Sequence, residues 1–260
     1  MKSEPMRARP TDGPSILPAE PVAPQTFVED VIPALFAELE LPPQAREVEF
    51  RLGLVLEGPG GGEWTLHFIE GELGIEPTRD PRCDLTLIQR VDDWRAALWA
   101  GRPGFVADAV GALFGGAGER SERLARAAES TVDPAVVEAL RSLRGRVELR
   151  VEPAADGSAP GAGATDAAGT GDAEIHGRPG RAERDWWLAV QLGPGPIAVM
   201  ADAAVALGAE QADAIQRGGL HPLEALITGE LRLEGDLGLI LQLQALALRF
   251  RLPAAVSRAR

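Results

Sequence analysis

The sequence predicts an α+β fold, a mainly antiparallel sheet covered by helices, with two such units in one chain. Three observations predict it. Residues 228–235 alternate Glu230, Arg232 and Glu234 with Leu231 and Leu233, the period-two pattern of a strand with one wet and one dry face, and pass directly into an apolar helical run. Four short strand-like segments separated by turn residues precede an amphipathic helix in the first half of the chain. Finally, the stretches 84–101 and 202–219 match in length, in their Asp and Gly ends, and in the acidic residue that opens the helix.

Residues 1–25 are punctuated by Pro5, Pro10, Pro14, Pro18, Pro21 and Pro24 and carry few apolar side chains. Burial cannot offset the entropy of ordering such a segment, so a disordered tail is expected. From Thr26 the spacing of Phe27, Val28, Val31, Ile32, Leu35, Phe36 and Leu39 predicts an amphipathic helix to about residue 40, with Pro33 marking a first turn or a kink. Segments 47–56, 63–70, 72–77 and 83–88 then read as strands of an antiparallel meander, turned by the glycine-rich run 58–62 and by Glu70-Gly71. A helix over 91–100 places Val91, Trp94, Ala97 and Leu98 on one face and stops at Gly101, a residue suited to a helix C-cap.

Further helices are expected over 105–114, 119–128 and 134–143, the last with Asp133 as cap and Pro134 as its first residue. Val147, Leu149 and Val151 alternate as a strand. Residues 154–184, mostly Gly, Ala, Asp and Ser, read as a long flexible loop. Order resumes at Trp186 and Trp187, which as neighbours on a strand must point to opposite faces. In the closing segment Gly235 breaks the alternation and Asp236 is placed to cap the helix that follows. That helix carries two apolar stripes, Leu237, Leu241 and Leu248 on one side and Leu239, Leu243, Leu246 and Phe250 on the other. One stripe can cover the sheet; the other calls for a second apolar neighbour, which could be protein core, a subunit, a membrane or a lipid.

With 260 residues and 45% apolar content, the chain has room for one large or two small domains. The formal charge of −13 opposes nucleic-acid binding, which needs clustered cations, and electrostatic docking on anionic membranes. Cys83 is the single cysteine, excluding an intramolecular disulfide and a cysteine-based zinc site and pointing to a cytoplasmic location. The start of the chain lacks the apolar run of a secretory signal, and the longest apolar stretch is too short to span a bilayer, so no stable membrane insertion is expected.

Catalytic patterns are missing. No serine sits in a nucleophile-elbow context, and His67, His176 and His221 are scattered over a strand, a loop and a helix start. The glycine run 58–62 lacks the Lys-Ser/Thr of a phosphate loop, Lys2 being the only lysine. The Asp92-Asp93 and Glu234/Asp236 pairs suit the positive ends of helices. No metal constellation and no cofactor motif is present, and Trp94, Trp99, Trp186 and Trp187 read as core residues.

At Trp187, Ala201-Asp202, Gly219, Pro222, Ala225, Gly229, Leu231, Leu233, Gly235 and Asp236 the sequence resembles the sterol carrier protein 2 family, whose pattern closes in Gly-x-Leu-x-Leu-x-Gly-Asp and an apolar helix. The resemblance covers about 143–250 well and 26–101 more weakly, through strand order and the Cys83-Asp84 counterpart of Ala-Asp. After Pro103 the first stretch lacks the Gly-x-Leu-x-Leu-x-Gly-Asp segment. The resemblance implies a curved, five-stranded, mainly antiparallel sheet with helices on one face and an apolar tunnel that takes fatty acyl chains, acyl-CoA or sterols.

The expected organisation is therefore a degenerate unit over 26–128, a better-formed unit over 129–252 and a tail over 253–260; one domain with a long insertion is the alternative. The expected function is non-enzymatic binding of an apolar lipid without a cofactor, or else a ligand-free interaction module whose units pack on each other and meet a protein partner. Leu226, Ile227, Leu231, Leu233, Leu239, Ile240, Leu243 and Leu246 are the candidate lining, since removing apolar surface from water would drive binding.

Overall fold

The computed structural model describes residues 17–38, 41, 43–104, 106, 134–153 and 185–250. The expected helices over 105–114, apart from residue 106, and over 119–128, the loop over 154–184, the Asp133 cap, His176 and the tail over 253–260 lie outside the described residues. Helix α1 is continuous through an α-helical turn Pro24–Thr26, a π-helical stretch Phe27–Val31 and a second α-helical stretch Ile32–Ala37. The widened turn falls next to Pro33, which has no backbone N–H to offer. This helix begins two residues before the predicted start, and Leu17 and Val22 ahead of it already pack on its core.

Strands β1 (Phe50–Glu57), β2 (Gly62–Ile69) and β3 (Glu72–Glu76) form the expected antiparallel meander. The fourth strand, β4 (Leu85–Arg90), departs from it by pairing parallel to β1. Its direction is set by the connection 77–84, which crosses the back of the hairpin before the chain turns into the sheet. Buried Thr65 pins that crossover, its hydroxyl donating to the Thr78 carbonyl at 2.8 Å and accepting from the Asp80 N–H at 2.7 Å. Helix α2 (Val91–Trp99) follows at once.

Helix α3 (Pro134–Ser142) leads into the hairpin β5 (Gly145–Glu152) and β6 (Trp186–Leu192), after which β7 (Ala203–Gly208) pairs parallel to β5 and runs into α4 (Ala209–Gln216). Helix α5 (Pro222–Thr228), edge strand β8 (Leu231–Gly235) and helix α6 (Leu237–Phe250) complete the described chain. His221 caps α5, its Nδ1 accepting from the Leu223 N–H, and Asp236 caps α6, its Oδ1 accepting from the Leu239 N–H at 3.1 Å. All strands join one eight-stranded sheet in the order β3-β2-β1-β4-β6-β5-β7-β8.

Local geometry repeats across that sheet. The Arg51 N–H donates to Asp84 Oδ2 at 2.9 Å while the Asp84 N–H donates to the Arg51 carbonyl, and Arg146 and Asp202 make the same pair of bonds, with a 2.7 Å N–H to carboxylate distance. Each aspartate thereby starts a parallel strand pair. Asp84 also holds Arg141 of α3 at 3.0 Å. We expect Asp84→Ala to destabilise the protein by about 2–3 kcal/mol and Asp202→Ala by about 1.5–2 kcal/mol, because Asp84 supports the additional cation. Urea midpoints of the two variants check the order.

The two faces of the sheet differ. One carries Leu52, Leu54, Leu56, Leu85, Leu87, Val147, Leu149, Leu188, Val190 and Val205, and the helices pack on it. Helices α1 and α2 cover β1 to β3 around Phe27, Trp64 and Trp94, with Phe27, Trp94 and Trp99 in edge-to-face contact. Helices α3 and α6 cover the Phe50, Leu85, Leu192 and Ala203 end of the middle strands. The opposite face joins the two halves through buried Val55, Ile88 and Ala189, packed with Trp187 and Ile197.

Beside that cluster lies an ion network: Glu148 pairs with Arg146 at 3.1 Å and Arg150 at 2.7 Å, and Arg90 and Arg146 stack on Trp187. Burial pushes the Glu148 carboxyl up, but hydrogen bonds from Arg150 and Trp187 and the nearby Arg146 charge outweigh it and hold it below the usual carboxylate range. A depressed folded value stabilises the protein above the unfolded value and is lost as pH falls through the folded one. Glu148→Gln is expected to remove part of the acid-side loss of melting temperature, as a thermal titration from neutral to acid pH would show.

Candidate functional site

The helix groups leave a trough between them. Cross-strand pairing lines up Leu54, Leu87, Val190 and Val147 in one row, and Leu56, Gln89, Leu188, Leu149, Val205 and Leu233 in the next. Alternation along each strand puts these side chains on one face, and the aliphatic ones apart from Leu56 are only half-buried. Neighbouring strands lie about 4.8 Å apart, so the first row runs for about 14 Å across β1 to β5 and the second for about 24 Å across β1 to β8. Ile240 and Leu243 of α6, like Val147 and Val190 of the sheet, pack against the buried cluster of Leu192, Leu239 and Leu246 at the edge of the trough.

The predicted lining residues separate into three groups. Leu239, Ile240, Leu243 and Leu246 belong with α3 and the middle strands, Leu239 and Leu246 being fully buried. Leu231 packs in the cluster of Trp186, Leu207 and Ala212, and Leu233 is half-buried beside Val205. Leu226 and Ile227 lie on the exposed side of α5, Ile227 at 78% exposure. The two stripes of α6 diverge as well, since Leu239, Leu243 and Leu246 turn inward while Leu237 and Leu241 are 52% and 63% exposed.

A cleft of about 1000 Å³ opens where the two halves of the sheet meet, and none of the eight predicted residues lines it. Trp99 and Trp186 form part of its wall, with Arg90, Arg95, Asp93 and Asp213 supplying polar atoms. Trp186 is fixed by its indole N–H donating to the Asp93 carbonyl at 3.0 Å, and Arg90 by a 2.5 Å contact to Asp93. Burial raises the Asp93 carboxyl in spite of Arg90. Arg95 Nε and Asp213 Oδ1 are buried without partners. Val151, Trp186 and Ala209 of its wall pack in one cluster with Leu149, Leu188 and Val205, so the cleft wall adjoins the second row.

No protein-family model matches the chain, and no curated protein matches it. Among solved structures, sterol carrier protein 2 like 2 from Aedes aegypti is similar at 17% identity, covering 45% of this chain and 95% of that one with a TM-score of 0.25. Sterol carrier protein 2 from Yarrowia lipolytica, in its apo form, is similar at 10% identity over 48% of this chain and 85% of that one, with a TM-score of 0.27.

Among the described residues, no group of three or more His, Cys, Asp or Glu side chains could hold a metal ion, and no helix is long and apolar enough to cross a membrane. His67 contacts Glu49 at 3.2 Å on the sheet face away from the described helices, and Cys83 is buried, which raises its thiol. Sequence reading focused on the last helix and overlooked Leu54, Leu87, Leu149, Leu188, Val190 and Val205. Their signal was present as alternation in five strands, but only the pairing register shows that they share one trough.

Proposed function

We propose that this chain is a non-enzymatic lipid-binding protein made of two divergent copies of one unit, fused edge to edge. The observation that carries the binding reading is the half-buried double row of aliphatic side chains between the helix groups. Water against such a row is costly, and each side chain that a ligand fully covers gains about 1.5–3 kcal/mol relative to full exposure. A fatty acyl chain, an acyl-CoA or a sterol-like molecule has the matching apolar surface. Trough and cleft together offer room for an apolar body and a polar end.

Support for two copies comes from the matched Arg51/Asp84 and Arg146/Asp202 bonds and from the matched order of hairpin, parallel strand and helix. Strand β6 takes beside β4 the place that β8 takes beside β7. A first copy without its own last strand is thus completed by the second. The cytoplasm suits the lone buried cysteine.

The test is native mass spectrometry of the purified protein, with organic extraction and lipid analysis of what it carries. A co-purified lipid, or uptake of a fluorescent fatty acid by the empty protein, is the expected result; neither would sink the carrier reading. A second reading, an interaction module, is favoured by exposed Leu223, Ile227, Leu237 and Leu241, at 57%, 78%, 52% and 63%. A chain that takes up no lipid yet doubles its mass on the same instrument supports that reading instead.

A further inference from the structure

Gln89 interrupts an otherwise apolar surface. Among the described strand residues on the helix-bearing face it is the polar one, set in register between Leu56 of β1 and Leu188 of β6. It is 8% exposed, and its amide Nε2 is buried without a hydrogen-bond partner. Such groups are uncommon in folded proteins because desolvating an amide without replacing its water bonds is unfavourable. The fold does not require one at this position. Leu207 stands as far beyond Asp202 as Gln89 stands beyond Asp84, and it fills its place with a buried aliphatic side chain.

The surroundings define what the amide could receive. Half-buried Leu87 and Leu188 flank it toward the trough, while Trp186, one alternation away from Leu188 on β6, lines the cleft. Gln89 therefore sits in the apolar row, in register with Leu188 and diagonal to Trp186 of the cleft wall, without itself lining the cleft. Arg90, its neighbour in sequence, lines the cleft but is already engaged by Asp93, the Asp185 carbonyl and the Trp187 ring. A carboxylate at Gln89 would thus be desolvated beside a neutral amide, whereas a carbonyl oxygen needs only the N–H.

Building on the lipid-binding reading, we propose that Gln89 is the polar anchor of the ligand and that the preferred ligand is a long-chain ester or a similar apolar molecule with an uncharged carbonyl oxygen. The amide Nε2 donates to that oxygen, the chain lies along the trough, and the remaining polar part extends into the cleft. A bare hydrocarbon leaves the amide unpaired, and a free carboxylate loses its hydration.

Displacement of the fluorescent hydrocarbon diphenylhexatriene from the full chain tests this, with methyl myristate, hexadecane and myristate as competitors. Methyl myristate is expected to displace the probe at about tenfold lower concentration than hexadecane, the effect of one net hydrogen bond. In Gln89→Leu that preference falls to within about twofold while the melting temperature of the empty protein does not drop; Gln89→Met serves if the leucine variant fails to fold. Equal displacement by all three competitors, or an ester preference that survives both substitutions, overturns the anchor and leaves lipid binding intact. A wild-type protein that takes up neither probe nor competitors overturns both.

Discussion

Leu243→Lys is expected to weaken uptake of a fluorescent fatty acid by at least about 100-fold and to cost about 2–4 kcal/mol of stability. Leu243 is half-buried on the inward stripe of α6, in one cluster with Leu239, Leu246, Val147 and Val190, where it packs at the edge of the trough. A lysine there must either bury its ammonium or lift the helix from the sheet, and both outcomes remove the apolar wall. Leu243→Met keeps volume and apolarity, so binding and urea midpoint should stay close to wild type. Glu230→Lys, on an exposed residue between α5 and β8, is the matching charge control. If Leu243→Lys and Glu230→Lys have equal effects on binding, α6 is not part of the ligand wall.

Gly235→Ala should produce the largest loss of stability from the smallest change, about 3–5 kcal/mol. Its φ of +77° lies in the left-handed region, and a methyl group built there would meet the Asp202 carbonyl oxygen at 2.1 Å. Neither strain nor clash can be relieved locally, because the Asp236 N–H donates to that same carbonyl at 2.8 Å and ties the start of α6 to the start of β7. The variant is expected to release β8 and α6 together, seen as a lowered urea midpoint and as new tryptic cleavage at Arg232 before global unfolding. Gly238→Ala, within α6, meets only Asp236 Oδ1 at 3.0 Å and provides the mild comparison. Intact β8 and unchanged stability in Gly235→Ala would contradict the close approach on which the strand-to-helix passage depends.

Much of the local structure was legible because it rests on short-range rules. Alternation at 230–234 and Asp236 as a cap marked β8 and the start of α6, and Asp92 and Asp93 with Trp94 marked α2. The two stripes of α6 were legible too, since 3.6-residue geometry divides the leucines before any neighbour is known. By contrast, nothing local tells β4 to run parallel to β1. Its direction follows from a crossover pinned by Thr65, a contact between residues separated by a hairpin.

By itself, then, the sequence determined the α+β class, most strand and helix positions, the apolar character of one sheet face and the matched segments around Asp84 and Asp202. Only the tertiary structure decided that β4 and β6 pair, which merges both halves into one eight-stranded sheet. It alone separated the proposed lining residues, sending Leu239 and Leu246 to the core, leaving Leu243 half-buried beside them and Ile227 in solvent. It also set Gln89 into a row of leucines and valines contributed by other strands. The physical reason is common to all three: period within a strand states which residues share a face, but which strands meet, and in what register, depends on contacts distant in sequence.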